Sequence, residues 1–296
     1  MSSSWWRETD VLSILLYLIV LTLAFDGAAS SNQLQLPECE ITDVVDTPIT
    51  FFVSKEAMED YSPFVRSSII DSWIQTSNQI LKNSCVPMRR TFHQVVVADE
   101  LNLVEFDEIT LVHDLLEYHH FEQIEASASR PNHYYGVLFS TKRSTNTLPE
   151  QCGMTYVDVY PQFFIADLAC SSDILEHELG HLAGAEHDID TLSDQIDVRI
   201  DELKEITALH QQHAFRPYAF GYRCGGKGTV MAYADEWLPV YSSPDITYKG
   251  IACGGAKFAN NAKRLREYAL QLQERMVLDL NASMADVKAN PSATTQ

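Results

Sequence analysis

Three histidines and a glycine between residues 177 and 188 constrain this chain more than any other feature of its 296 residues. The segment reads HELGHLAGAEHD. His177 and His181 are four residues apart, so on a helix both imidazoles project from the same face, one turn apart. Gly184 can end that helix in the left-handed conformation at little cost, and His187 can then return toward the first two rings. The spacing predicts a helix, a sharp turn and three imidazoles that meet at one point.

Three imidazoles at one point are the ligand set of a hydrolytic zinc site, which keeps one further position open for water. Glu178 follows the first ligand, where it can act as the general base toward that water. The alternative is a helix with exposed histidines, but it gives no reason for Gly184 and His187 to fall at these spacings. We therefore predict Zn²⁺ as the cofactor, held by His177, His181 and His187.

The same segment resembles the metzincin signature HExxHxxGxxH, and Asp188 after the third histidine resembles the reprolysin (adamalysin-like) branch. Metzincins also carry a Met-turn downstream, and residues 228–233 (GTVMAY) match it with Met231. The flanking segments, AFGYR before the turn and YSSPDITYKGIACGG after it, resemble bacterial-type reprolysin-like peptidases. These motifs cover residues 172–255 and leave the upstream part of the chain undiagnosed.

The resemblance implies an α+β, zincin-like catalytic domain with a mixed, mostly parallel sheet and helices, arranged in two lobes around an active-site cleft. Met231 would form an apolar floor beneath the zinc. The implied activity is that of a secreted zinc metalloendopeptidase, which hydrolyses internal bonds of a protein or peptide substrate with Glu178 as general base. A zinc-bearing binding module without activity is the alternative from another class, and the presence of Glu178 argues against it.

Tyr233 has two interpretations. It lies two residues beyond Met231, where serralysins and astacins have a tyrosine that can donate a hydrogen bond to the developing oxyanion. The reprolysin branch generally lacks this tyrosine, so a core tyrosine packed beneath the site is equally open. The chain also departs from the family in a polar, charged helical insertion at residues 190–213, which bears on the far side of the cleft.

The beginning of the chain predicts export. An uncharged apolar run at residues 11–25 follows Arg7 and precedes small residues at 27–30. This pattern is typical of a secretory signal peptide, which we place at residues 1–30; an uncleaved membrane anchor with an exported catalytic domain is the alternative. Six cysteines in an exported chain predict three disulfides.

The cysteine pairing is partly guided by the resemblance, because two cysteines bracket the Met-turn and the segment that would form the wall of the specificity pocket. Cys39 could instead cap the zinc as a thiolate, although that would leave an odd number of cysteines. The predicted pairs are Cys224 with Cys253, Cys152 with Cys170, and Cys39 with Cys85.

Charge limits the partners. The formal net charge is −20, which argues against nucleic acid and against an anionic membrane surface, since both require basic patches. We expect a monomer that meets a membrane only through the possible N-terminal anchor.

Hydrophobic periodicity predicts strands that alternate with helices, which is typical of a mixed sheet flanked by helices. A lead-in segment (31–47) precedes one catalytic domain (48–280) and a flexible tail (281–296). Asp173 and Glu176 are spaced as a capping box for the helix of the histidine motif. Strands are predicted at 49–53, 92–98, 134–140, 154–159 and 163–168, and helices at 62–82, 112–124 and 262–280.

Overall fold

The computed structural model describes residues 33–103, 108–142, 152–196 and 215–289. The predicted signal peptide lies outside the described residues, as do most of the insertion and the last part of the tail. None of the helices within these ranges is long and apolar enough to cross a membrane.

A five-stranded sheet in the order β3-β2-β4-β6-β5 organises the first half of the chain. Its first four strands run parallel, and β5 pairs antiparallel with β6 at the edge. The central strands read as continuous apolar runs because both faces of the sheet are covered. The strands are β1 Leu34–Gln35, β2 Val45–Ser54, β3 Met88–Ala98, β4 Tyr134–Phe139, β5 Gly153–Thr155, β6 Phe163–Asp167, β7 Glu186–Asp188, β8 Phe220–Gly221, β9 Arg223–Cys224, β10 Lys227–Gly228, β11 Ser243–Tyr248 and β12 Ile251–Cys253.

Helices cover both faces of this sheet. One core cluster joins the sheet to α2, α4 and α6, and a second cluster joins it to α3. The sheet is therefore mixed and mostly parallel, as predicted, but helices on both of its faces make the arrangement α/β, whereas the resemblance implied α+β. The helices are α1 Lys55–Asp60, α2 Pro63–Asn83, α3 Ile109–Ala128, α4 Ile174–Leu182, α5 Ile189–Ile196 and α6 Asn261–Ala289.

Most predicted elements are present, with shifted ends. The helix predicted at 62–82 begins at Pro63, after Ser62 caps it by accepting a hydrogen bond from the Val65 amide. The strand predicted at 154–159 ends at Thr155. The helix predicted at 262–280 continues to Ala289, into the segment predicted to be a flexible tail.

The lead-in segment is joined to the rest of the described structure by a strand pairing and a disulfide. β1 pairs antiparallel with β11, and Cys39 is bonded to Cys85. The other disulfides join Cys152 to Cys170 and Cys224 to Cys253. All three predicted pairs are thus confirmed, and no Cys39 thiolate is left to cap a metal.

Candidate metal centre

Helix α4 carries the first two histidines and ends where the motif predicts. Gly184 follows the helix with φ +82°, and the amide of Ala185 donates to the carbonyl of Gly180 over 2.9 Å. A Cβ on Gly184 would lie 2.8 Å from Nε of Arg264 on α6. Glycine is therefore required at this position both for the backbone conformation and for the space that Arg264 occupies.

The turn brings the third histidine to the other two. His187 lies on β7, which pairs with β8. The Nε2 atoms of His177, His181 and His187 lie 3.0–3.2 Å from one another. Among the described residues this is the one group of three metal-ligating side chains close enough to share an ion.

The hydrogen bonds of the three Nδ1 atoms determine the tautomer of each imidazole. Nδ1 of His177 is 2.8 Å from the carbonyl oxygen of Val230, and Nδ1 of His181 is 3.0 Å from that of Ala185. Nδ1 of His187 is 3.0 Å from Oε1 of Gln195. Each partner is an acceptor, so each Nδ1 carries the proton and each Nε2 presents a lone pair to the common point.

This donor set fits zinc. Nitrogen ligands about 2.0–2.1 Å from a tetrahedral zinc lie about 3.3–3.4 Å apart, close to the separations of the three Nε2 atoms. Burial, followed by the proximity of His187, lowers the pKa of His177 to about 4. Burial also lowers the pKa of His181 and of His187. The imidazoles are therefore neutral at neutral pH, as metal ligation requires.

Glu178 is buried beside the triad. A Cβ on Gly153 of the edge strand β5 would lie only 2.6 Å from Oε1 of Glu178, so the carboxyl group faces that strand. Burial raises the pKa of Glu178 to about 8. A carboxyl group with such a pKa can both accept and return a proton near neutral pH.

Met231 lies beneath the motif helix. Its side chain is fully buried, and its Sδ would be 2.7 Å from a Cβ placed on Gly180. The preceding residue, Val230, supplies the carbonyl that fixes His177. Met231 therefore packs against the motif helix, and the residue before it orients the first histidine.

Asp188 connects three parts of the centre. Its carboxylate accepts hydrogen bonds from the amide and the hydroxyl of Thr191 and from the amide of Tyr233. Arg223 forms an ion pair with it at 3.5 Å. The residue after the third histidine thus ties β7 to the start of α5 and to the Met-turn.

Tyr233 faces the cleft instead of lying beneath the site. Its side chain is 47% exposed, and its ring centroid lies 4.6 Å from that of His187 and 6.0 Å from that of His177. Burial raises its pKa, the nearby Glu178 charge raises it further, and a hydrogen bond from Gln195 lowers it. The interpretation of Tyr233 as a core residue is therefore wrong.

The predicted capping box is wrong as well. Asp173 has helical backbone angles, and its side chain caps no amide of the helix. Glu176 instead turns into the core, where its oxygens accept hydrogen bonds from Nε and Nη2 of Arg90 at 2.9 and 3.0 Å. The hydroxyl of Tyr241 donates to the same carboxylate over 2.7 Å. Arg90 lies far away in the sequence, and no sequence signal pointed to it.

An open cleft of about 620 Å³ passes over the triad. Edge strand β5, the residues that follow it, Gln195 and Tyr233 all contribute to its lining. The cleft is lined by residues 153–158, His177, Glu178, His181, Gly184, Glu186, His187, Gln195, Phe215, Arg216 and Tyr233.

Comparisons with known proteins support the fold and nothing more specific. No protein-family model matches the sequence, and no curated protein matches it either. A chain in a solved chaperone–substrate complex is similar in structure, with a TM-score of 0.55 and 14% identity, over 78% of this chain and 35% of that one. Metalloproteinase-II from Bacteroides fragilis is matched with a TM-score of 0.44 and 16% identity, over 84% of this chain and 60% of that one. This chain thus spans about a third and three fifths of their lengths.

Proposed function

We propose that this chain is a secreted, zinc-dependent metalloendopeptidase of the reprolysin-like metzincins, with two lobes on either side of the cleft. The observation that carries the proposal is the meeting of three Nε2 lone pairs next to a buried carboxyl group in an open cleft. Asp188 and the Met-turn, which support the triad, are the features that favour this branch.

His177, His181 and His187 would hold the metal. When bound, zinc lowers the pKa of water and polarises the carbonyl that is attacked. Glu178 would accept the proton of the attacking water and return it to the leaving amine. Tyr233, exposed toward the same space, would donate a hydrogen bond as negative charge develops on the carbonyl oxygen.

An extended peptide is the substrate that the cleft favours. β5 is the edge strand of the sheet and faces Glu178. An edge strand has unpaired amides and carbonyls along one side, to which a peptide can add as a further strand. A substrate bound in this way passes through an open cleft without needing a free end, and this favours cleavage of internal bonds.

The test is digestion of a peptide library by the metal-replete protein. We expect zinc bound in a one-to-one ratio, cleavage at internal bonds, loss of cleavage with a chelator, and recovery when zinc is restored. Bound zinc without cleavage would instead indicate a binding module, and a protein that binds no zinc would contradict the proposal entirely. Sequencing the N-terminus of the exported protein distinguishes a cleaved leader from an anchor, and sedimentation tests the expected monomer.

A further inference from the structure

The outer partner of the third histidine is of a different kind from the other two. His177 and His181 donate to backbone carbonyls, whose positions are set by the Met-turn and by the end of α4. His187 donates to the side chain of Gln195. Gln195 lies on α5, the only part of the helical insertion within the described residues, and its side chain is exposed.

Hydrogen bonds at the start of helix α5 hold it where Gln195 can reach His187. The Asp188 carboxylate accepts from the amide of Thr191 at 3.2 Å and from its hydroxyl at 2.6 Å, so the first turn of the helix is fixed to the strand that carries His187. Gln195 lies one turn further along the helix. Its amide reaches back over that turn to the imidazole.

The chemistry of the amide fixes its orientation. Metal ligation through Nε2 requires the proton of His187 on Nδ1, so the Gln195 atom that faces it must be the carbonyl oxygen. The amide nitrogen is then the atom available to Tyr233, whose ring lies 4.6 Å from that of His187 and whose pKa is lowered by a hydrogen bond with Gln195. A hydroxyl whose oxygen accepts from Gln195 still has its own proton to donate, and Tyr233 lines the cleft.

We propose that Gln195 is a positioning residue that fixes the tautomer of His187 and aims the hydroxyl of Tyr233. This inference rests on the proposed function, and it gives the insertion a role in the metal centre. The amide oxygen makes the contact with His187, and the amide nitrogen makes the contact with Tyr233. A substitution at Gln195 can therefore change metal retention and turnover separately.

Metal retention is measured first, by competition with a chromophoric zinc chelator. We expect Gln195→Ala to bind zinc about 10–100-fold more weakly than wild type, as for loss of an outer partner of a ligating histidine. Gln195→Glu keeps an acceptor for Nδ1 and should bind zinc at least as tightly as wild type. Asp194→Ala changes the exposed neighbour on the same helix and is the matched control, expected to bind zinc like wild type.

The tautomer of His187 provides a second measurement, which requires no metal. In long-range proton–nitrogen spectra of the metal-free protein, His187 should be the Nδ1-protonated tautomer in wild type and a mixture of tautomers in Gln195→Ala.

Turnover measures the effect of Gln195 on Tyr233. The carboxylate of Gln195→Glu accepts from the Tyr233 hydroxyl instead of donating to it, so kcat should fall about tenfold or more, with KM little changed.

The inference is overturned if both Gln195 variants bind zinc within about twofold of wild type, since an outer partner is worth more than that. It is equally overturned if Gln195→Glu weakens zinc binding as much as Gln195→Ala, or if its kcat is that of wild type. A wild-type protein that binds no zinc would refute the proposed function instead, so the two failures are distinct.

Discussion

Glu176 and Glu178 lie two residues apart on helix α4, and both are buried, but the groups that surround them differ. Glu176 points into the core, where Arg90 holds both of its oxygens and Tyr241 donates a further hydrogen bond. Burial alone would lower the pKa of Arg90, but the charge of Glu176 raises it well above its usual range. Glu178 points to the cleft, and burial raises its pKa to about 8.

The different surroundings give the two side chains different roles on one short helix: Glu176 stabilises the core, and Glu178 faces the cleft. A buried carboxylate with a counter-charge and hydrogen-bonded oxygens is held as part of the core. A carboxyl group whose burial is not offset in this way can exchange a proton near neutral pH. A pair of tyrosines repeats the pattern, since Tyr241 is fully buried against Glu176 and Tyr233 is half exposed in the cleft.

The largest expected effect is on the cleft side. Glu178→Ala should reduce peptidase activity by several orders of magnitude and leave zinc binding intact, because the carboxyl group moves protons and is not a ligand. Metal analysis and a peptide assay on the same sample measure both quantities. A variant that has lost its zinc, or one that remains active, would contradict the assignment.

On the core side we expect a loss of stability. Glu176→Gln and Arg90→Met each remove one partner of a buried ion pair and should lower the free energy of unfolding by about 3–5 kcal/mol. Urea denaturation with the disulfides intact provides the measurement. The double variant Glu176→Met with Arg90→Met should be less destabilised than the sum of the single variants; additive losses would show that the pair is not coupled.

Glu178 should also make the stability of the metal-free protein depend on pH. In the metal-free protein, the raised pKa of Glu178 means that the folded state binds a proton more tightly than the unfolded state. This contribution is present at low pH and is lost as the pH rises from about 4.5 toward 8. The stability of Glu178→Gln minus that of wild type should therefore increase over this range, by up to ~5 kcal/mol. A difference that is constant with pH would contradict the raised pKa.

The tyrosines give a smaller contrast. Tyr233→Phe should lower kcat about 10- to 1000-fold with KM little changed, as for loss of one donor to an oxyanion. Tyr241→Phe, the control from the core side, should instead lower the free energy of unfolding by about 1.5–3 kcal/mol, because it removes a hydrogen bond to a charged group. An unchanged kcat in Tyr233→Phe would leave a simple three-histidine site.

The smallest effect is expected at the boundary between the two sides. A Cβ on Gly180 would lie 2.7 Å from Sδ of Met231 and 3.0 Å from the hydroxyl of Tyr241. Gly180→Ala should therefore cost about 1–3 kcal/mol of stability through overpacking. Thermal denaturation of the metal-free protein measures this, and an unaltered melting temperature would mean that the Met231 side chain moves aside freely.

The sequence predicted the cleft side of α4 far better than its core side. The ligand positions are local, since the helical repeat and Gly184 bring three histidines together within one short segment. Local spacing also suggested the capping box, and there it misled. Glu176 is used by Arg90, 86 residues earlier in the chain, and only the parallel arrangement of the sheet brings that strand under the helix. The role of Gln195 was hidden for a related reason, because an exposed glutamine on a polar helix has no distinguishing pattern.

The contact between α6 and the turn at Gly184 has a consequence for the order in which the molecule is made. Arg264 fills the space beside Gly184, and Nδ2 of Asn261 donates over 3.2 Å to the carbonyl of Glu186, next to the third ligand. A chain still being synthesised displays all three histidines long before these two residues leave the ribosome. The turn that positions His187 can therefore be completed only after the first residues of α6 have emerged, and until then the contacts from Asn261 and Arg264 are missing.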